Sequence, residues 1–166
     1  MDFKLKEIWK DSGEDVYQLL QEIPLDSNWI SNEMNWKNLE EFEQRKITKE
    51  NESLWIWLKS QQSPITTFCF FIDDKPVWIV KLMHELEDWS INRWWNIWYV
   101  ILPSARNKWY WTKILELTLE EAKRIWLKKV LLTCKKNSIW SCEIIEKNGW
   151  ILQDIINWKK RYWIGL

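Results

Sequence analysis

Glycine is nearly absent from this sequence. Only 3 of its 166 residues are glycine, whereas glycine makes up roughly 7% of an average protein. Folded chains place glycine where the backbone takes a positive φ or where two backbones approach closely. Either the fold avoids such positions or another residue type occupies them. The same sequence contains 17 tryptophans, and their positions matter more than their number.

Other absences limit the class of protein. No stretch approaches the roughly 18 apolar residues of a membrane span, and residues 1–6 lack the apolar segment of a signal peptide. The three cysteines have no metal-type spacing, so we expect neither disulfide nor zinc. Lys and Arg (24) equal Asp and Glu (24), so no net charge attracts nucleic acid or membranes. We expect one cytoplasmic domain, residues 1–166, that binds neither and is a monomer or homodimer.

Many of the tryptophans stand where glycine is usual. Three follow asparagine, as in Asn35-Trp36, where Asn-Gly is a strong turn signal. Trp126 follows a helical pattern ending at Ile125, where helices commonly end on glycine. The thirteen tryptophans in such contexts are Trp29, Trp36, Trp57, Trp78, Trp94, Trp95, Trp98, Trp109, Trp111, Trp126, Trp140, Trp150 and Trp158. We hypothesise that UGA codons meaning glycine have been translated as tryptophan; a designed or truly tryptophan-rich protein is the alternative.

The residue patterns predict an alternation of strands and helices. The predicted strands are Leu5–Trp9, Thr66–Ile72, Val77–Met83, Asn96–Leu102, Lys129–Cys134, Ile151–Asn157 and Lys160–Ile164. The predicted helices are Glu14–Glu22, Asn38–Gln44, Lys113–Ile125 and Ser138–Lys147. The apolar run at Lys129–Cys134 is typical of a strand buried on both faces.

The segment between the strand ending at Leu102 and the helix starting near Lys113 is the most informative one. A tight loop that enters a helix directs unpaired backbone N–H groups and the positive end of the helix dipole at one point. Such a point binds anions, including pyrophosphate. The cations Arg106, Lys108 and Lys113 would reinforce the site, although a basic loop alone is usually a solvated turn.

This segment resembles the GNAT superfamily of N-acetyltransferases, whose signature is Arg/Gln-x-x-Gly-x-Gly/Ala. Here it stands as Arg106-Asn107-Lys108-Trp109-Tyr110-Trp111, with tryptophan in both glycine positions. The likeness extends over residues 66–150. It includes the Asn-bearing helix that starts near Asn137 and the Glu-Lys-x-Gly end of that helix at Glu146. Within the superfamily the chain looks closest to a group of bacterial predicted acetyltransferases.

The resemblance implies an α+β fold, with a central mixed, mostly antiparallel twisted sheet flanked by helices. It also implies transfer of an acetyl group from acetyl-CoA to a primary amine of a small molecule or protein by direct attack. The implied cofactor-binding residues are Ile101, Leu102, Arg106, Asn107, Lys108, Trp109, Tyr110, Trp111, Thr112, Asn137 and Ser141. Many members carry a tyrosine general acid where this chain has Ile145. A non-catalytic acyl-CoA-binding module is therefore the alternative.

The sequence offers several candidates for the catalytic groups. His84, the single histidine, is the natural general base, because imidazole titrates near neutral pH. A surface or hydrogen-bonded histidine is the competing interpretation. Tyr99 and Glu85 are weaker candidates, and water could also serve. We interpret Cys134 as a small buried hydrophobe rather than an acyl-carrying nucleophile.

No sequence motif identifies the acceptor amine. The acidic residues Glu85, Glu87 and Asp88 could attract a cationic amine, although a solvated loop is the simpler interpretation. If the tryptophans are taken literally, an aromatic surface that stacks on sugars or single-stranded nucleic acid is a third hypothesis.

Overall fold

The computed structural model describes residues 1–24, 26–27, 30–54, 63–86, 96–101 and 110–166. The strands in these ranges are β1 (Phe3–Glu7), β2 (Asp26–Ser27), β3 (Ile30–Ser31), β4 (Ile65–Ile72), β5 (Lys75–Met83), β6 (Ile97–Ile101), β7 (Lys129–Lys135), β8 (Ile151–Ile156) and β9 (Lys159–Gly165). The helices are α1 (Ile8–Asp11), α2 (Glu14–Glu22), α3 (Leu39–Ser53), α4 (Tyr110–Arg124) and α5 (Ile139–Lys147). None of these helices is long and apolar enough to cross a lipid bilayer.

The first half of the chain forms a four-stranded antiparallel sheet in the order β1-β4-β5-β6. The centre of β4 is rich in aromatic and β-branched residues, which favour strands, and all of its residues from Thr66 to Phe71 are buried. Asp73 and Asp74 connect β4 to β5 with φ angles of 47° and 61°. Two successive positive φ angles match the right-handed twist of a tight hairpin. The hairpin predicted at this point is therefore present.

The second half forms a three-stranded antiparallel sheet in the order β7-β9-β8. Val130, Leu131 and Leu132 in β7 are fully buried, as their continuous apolar run predicts. Asn157 and Trp158 form the turn between β8 and β9, with φ angles of 49° and 64°. The short pair β2-β3 is a separate two-stranded ribbon that the sequence patterns did not predict.

Helices cover both faces of the first sheet. Side chains of directly paired residues share a face, so Trp78 and Val80 of β5 lie on one face and Ile79 and Lys81 on the other. The Trp111 ring of α4 lies 6.1 Å from that of Trp78, which places α4 on the first of these faces. Helices α1, α2 and α3 pack against β4 and β5 on the other side. This arrangement confirms the predicted α+β class with a mostly antiparallel sheet flanked by helices.

Two predicted elements differ from the structure near the N-terminus. The chain leaves the sheet at Glu7 and turns into α1, where Ile8 and Trp9 are buried in succession. Successive burial fits a helical turn rather than the predicted strand Leu5–Trp9, because strand side chains alternate between faces.

Helix α3 is twice as long as the predicted Asn38–Gln44. Its start was correctly recognised: Asn38 Oδ1 accepts from the Glu41 N–H at 2.8 Å, and Glu41 Oε2 accepts from the Asn38 N–H at 2.9 Å. This reciprocal pair is a capping box. Its end was missed because Phe42 is buried whereas Ile47 is exposed, so no apolar stripe continues along the second half.

Candidate active site

The two larger sheets meet at one buried side chain, Asn96, which directly precedes β6. Its backbone N–H donates to the carbonyl of Leu131 at 2.9 Å, and its Oδ1 accepts from the Leu131 N–H at 2.7 Å. Its Nδ2 donates to the Met83 carbonyl at 3.1 Å. Asn96 is 2% exposed, and these bonds use both ends of its amide.

Beyond Asn96 the strands β6 and β7 part. Within the described ranges β6 belongs to the first sheet and β7 to the second, and no ladder pairs them. Backbone groups along the facing edges are thus available to a ligand that lies between the sheets. We call the space between β6 and β7 the cleft.

Tyr99 of β6 lies in the wall of the cleft. Its hydroxyl is hydrogen-bonded to Ser141 of α5, a helix that packs on β7 of the second sheet. The Ser138 hydroxyl donates to the Ser141 hydroxyl at 2.8 Å, so a chain of three hydroxyl groups runs from Tyr99 to the start of α5. Burial raises the pKa of Tyr99, and the hydrogen bond with Ser141 opposes that rise. The phenol therefore stays protonated at neutral pH and can act as a donor.

His84 lies directly after β5, away from Tyr99. Its Nε2 is 2.8 Å from the Thr66 hydroxyl, and its backbone N–H donates to Pro64. Burial lowers the pKa of His84, against the opposing effect of the Glu7 carboxylate, so the imidazole is neutral at pH 7. His84 is four residues along β5 from Val80, the partner of Tyr99. At roughly 3.3 Å per residue this separation is about 13 Å, so the structure does not bring the two candidates together.

Most of the predicted cofactor loop lies outside the described residues. The predicted residues that lie there are Leu102, Arg106, Asn107, Lys108 and Trp109. Ile101 is the last residue of β6 and thus ends the wall that carries Tyr99.

The start of α4 belongs to the same predicted set. This helix begins at Tyr110, three residues earlier than the sequence pattern indicates. The first N–H groups of a helix have no partner within the helix, so this end can receive an anion. Tyr110 and Trp111 are buried, whereas Thr112 is exposed and its hydroxyl accepts from Asn148 Nδ2 at 3.5 Å.

The two predicted residues near α5 have different surroundings. Ser141 contacts Tyr99 in the cleft, as described above. Asn137 is exposed and lines a surface depression with Lys136 and Trp158. The structure thus brings together Tyr99, Trp111 and Ser141 from three elements, and leaves Asn137 and His84 apart from them.

Trp111 fills the space between α4 and the wall of the cleft. Its ring centroid is 3.9 Å from that of Tyr99, and Trp78 lies behind it. The indole N–H groups of Trp78, Trp111 and Trp150 are buried, and each lacks an acceptor among the described residues. A buried donor without a partner costs about 1–3 kcal/mol. A residue without a side chain at position 111 would remove one such donor and open space beside Tyr99.

Cys134 is buried and close to Cys142 and Tyr162. Burial, with Cys142 beside it, raises the pKa of the Cys134 thiol to about 12. The thiolate is the nucleophilic form, and at neutral pH almost none is present. This environment agrees with the interpretation of Cys134 as a small buried hydrophobe.

A groove on the opposite face of β6 was not predicted from the sequence. It lies between helices α1 to α3 and strands β4 to β6, and its charged wall consists of Glu33, Arg45, Lys49 and Lys81. Arg45 and Lys49 are four residues apart and therefore share one face of α3. That spacing would have been a signal, but it falls on the part of α3 that the apolar pattern did not predict.

The described architecture is similar to solved N-acetyltransferase structures along nearly the whole chain. The Campylobacter jejuni N-acetyltransferase PseH in complex with acetyl coenzyme A superimposes with a TM-score of 0.62 at 10% identity, over 99% of each chain. The chain has the GNAT fold. The Vibrio cholerae spermidine N-acetyltransferase in complex with CoA and spermine gives a TM-score of 0.61 at 16% identity, over 98% of this chain and 95% of that one. A GNAT acetyltransferase from Streptococcus pneumoniae gives 0.57 at 15% identity, over 99% of each chain.

No protein-family model and no curated protein sequence matches this chain. The likeness is therefore one of fold, and the residues of the cleft carry the argument about function.

Proposed function

We propose that this chain is a single-domain N-acetyltransferase that transfers an acetyl group from acetyl-CoA to a primary amine in the cleft. The observation that carries the proposal is the parting of β6 and β7 beyond Asn96, with Tyr99 and Ser141 facing the opening and the start of α4 at its mouth. In a chain with the GNAT fold, this opening is the place for the thioester. The predicted loop at residues 106–112 would hold the pyrophosphate.

The reaction makes one C–N bond and breaks one C–S bond. Between ammonium and amide the nitrogen loses two protons, and the CoA thiolate gains one. The amine nitrogen attacks the thioester carbonyl carbon, the C–S bond breaks, and CoA leaves as a thiolate. We propose that the Tyr99 hydroxyl donates to that sulfur as it gains charge. Ser141 and Ser138 would then return a proton from solvent along the hydroxyl chain. Tyr99 would thereby do the work of the tyrosine that is missing at Ile145, which is buried in the core.

His84 is the proposed base for the proton that the ammonium loses before the attack, and the second nitrogen proton passes to solvent as the C–S bond breaks. Its lowered pKa keeps it neutral at pH 7, so it can accept a proton. Because it lies about 13 Å along the sheet from the level of Tyr99, the proton must reach it through water.

We further infer that the thirteen tryptophans occupy glycine positions. Trp36, Trp126 and Trp158 have positive φ angles and are more than 80% exposed, whereas Trp78 and Trp111 are buried with unpaired indoles. Both groups are places where glycine is favoured, for conformation in one case and for space in the other. The intact mass of the protein from its native source counts the substitutions directly. A mass that agrees with tryptophan at all thirteen would refute the inference.

The first test of function compares the chain as written with a variant that carries Trp109→Gly and Trp111→Gly. We expect the variant to bind acetyl-CoA at least about tenfold more tightly in calorimetry, because the pyrophosphate and thioester regain their space. We also expect it to release free CoA when amines are supplied. Binding without CoA release would favour the non-catalytic module, and no binding by either protein would refute the proposal.

The second test separates the two proposed proton carriers. Tyr99→Phe should lower kcat about 100-fold, the lower range for general acid–base catalysis, with the KM for acetyl-CoA unchanged. Tyr162→Phe is the control, because this tyrosine is buried and its hydroxyl donates to Glu146 at 2.8 Å. His84→Gln should remove the fall in kcat/KM below pH 6.5 that protonation of the imidazole causes. Equal kcat values for Y99F and Y162F would exclude Tyr99 as the donor.

A further inference from the structure

The groove on the second face of β6 adjoins the cleft. Val100 lines the groove, and the preceding residue, Tyr99, lines the cleft from the other face of the same strand. Among the described strands, β6 lies at the edge of its sheet. A ligand can therefore reach from the groove around this edge to the thioester position, over little more than the thickness of one strand.

The groove is small and has an apolar floor. Its cavity volume is about 40 Å³, and the empty space is about 460 Å³ when the open mouth is counted. Ile8, Leu20, Ile79 and Val100 form apolar surface along it. Such a groove has room for a group the size of a carboxylate, and its apolar floor suits a methylene chain.

Three of the four charged side chains described in the wall of the groove are cations. They are Arg45, Lys49 and Lys81, and the fourth is the carboxylate of Glu33. Arg45 Nε donates to Glu33 Oε2 at 3.1 Å. Burial raises the pKa of Glu33, but the charges of Lys49, Arg45 and Lys81 and the hydrogen bond from Arg45 hold it below its usual range. A second anionic group in the groove would lie among the same three cations.

A neutral hydrogen-bond donor lies in the same groove. Trp9 lines it and is only 9% exposed, and its indole N–H has no acceptor among the described residues. An unpaired buried donor is costly unless a ligand supplies the acceptor. Trp9 is not one of the thirteen tryptophans at expected glycine positions. This donor is therefore present whether those thirteen positions hold tryptophan or glycine.

We propose that the acceptor amine carries an anionic group, a carboxylate or a phosphate, which binds in this groove against Arg45, Lys49, Lys81 and the Trp9 indole. This inference rests on the proposed acetyltransferase function. It predicts that the acceptor is not a polyamine such as the spermine bound by the Vibrio cholerae enzyme of similar fold. Of the acidic residues considered as an amine attractor, Glu85 is exposed and is not among the described lining residues of the groove, and Glu87 and Asp88 lie outside the described residues.

The test uses amines that differ only in charge. The pairs are 6-aminohexanoate against 6-aminohexanamide and phosphoethanolamine against ethanolamine, with spermidine as the polycation, and acetyl transfer from acetyl-CoA is measured for each. We expect kcat/KM to be at least about tenfold higher for the anionic member of one pair, and that pair identifies carboxylate or phosphate as the group. The preference should shrink with added salt, since exposed charges are screened. Equal rates within both pairs, or spermidine as the best substrate, would overturn the inference.

Matched variants locate the preference in the groove. Lys81→Met and Lys49→Met should each reduce the anionic preference several-fold, whereas Glu33→Gln should increase it. Lys46→Met is the control on the same helix, because the Lys46 ammonium binds the Ser12 carbonyl at 2.8 Å and does not line the groove. An unchanged preference in K81M and K49M would also overturn the inference.

Calorimetry with 6-aminohexanoate and its amide gives a readout that does not need turnover. If acetyl-CoA is bound neither by the chain as written nor by the variant with Trp109→Gly and Trp111→Gly, the proposed function fails. If acetyl-CoA is turned over but neither the binding affinity nor kcat/KM differs between the anionic and the neutral amines, only the acceptor inference fails.

Discussion

Two helix ends in this molecule have the same backbone geometry with different residues. At the end of α4, the Leu127 N–H donates to Ala122 and the Trp126 N–H to Lys123. At the end of α5, Trp150 donates to Ile145 and Gly149 to Glu146 with the same spacing. Both are Schellman motifs, with a left-handed residue at φ 65° for Trp126 and 83° for Gly149. The chain thus contains its own comparison between tryptophan and glycine in one conformation.

We predict that Trp126→Gly stabilises the protein and Gly149→Trp destabilises it. A left-handed residue with a side chain costs roughly 1–2 kcal/mol, so the free energy of unfolding should rise by about that much in the first variant and fall by a similar amount in the second. Trp126 is 90% exposed, so its removal loses little buried surface. Nothing lies within 4 Å of a Cβ added at Gly149, so conformation rather than crowding sets the effect there. Urea unfolding of both variants measures it, and two unchanged midpoints would contradict the prediction.

The backbone conformation of several single residues could be predicted from the sequence alone. Trp36, Trp126 and Trp158 were expected at turns or helix ends, and all three have positive φ angles. The unpaired indoles of Trp78 and Trp111 could not be predicted, because they depend on how closely α4 approaches the sheet. Spacing along a chain contains no information about that distance.

At the scale of elements, the sequence predicts best where one periodicity dominates. Strands β4, β5 and β7 were located within two residues, because their apolar runs are long and bounded by turn residues. The second half of α3 was missed, because its helical state follows from the capping box and from packing rather than from an apolar stripe. The charged groove was missed with it, since Arg45 and Lys49 lie on that half.

The anion site beside the cleft stays a prediction. A strand, a loop and a helix in succession indicate such a site, and α4 begins at Tyr110, within the segment that the sequence predicts as the loop. The hydroxyl chain from Tyr99 to Ser138 joins elements that are about forty residues apart, and no local pattern indicates it.

At the scale of the whole molecule, we predict that Asn96→Leu weakens the joint between the sheets. Leucine has the same branched shape and number of side-chain heavy atoms but leaves the Leu131 N–H and the Met83 carbonyl without the partners that the Asn96 side chain now supplies. Each unpaired buried group costs about 1–3 kcal/mol, so the loss of stability should exceed that of an ordinary surface substitution. Asn137→Leu is the control, because Asn137 is exposed. Thermal unfolding of both variants tests this, and equal melting temperatures would show that the joint is not needed.

The Asn96 joint also bears on the width of the cleft. Its amide is 2% exposed and links the end of β5 in the first sheet to β7 in the second. The first sheet carries Tyr99 and the charged groove, and α5, which packs on β7, carries Ser141. A change in the angle between the sheets would therefore alter both the width of the cleft and the distance from the groove to Ser141. For the proposed reaction, a more rigid joint would narrow the range of amine lengths that fit.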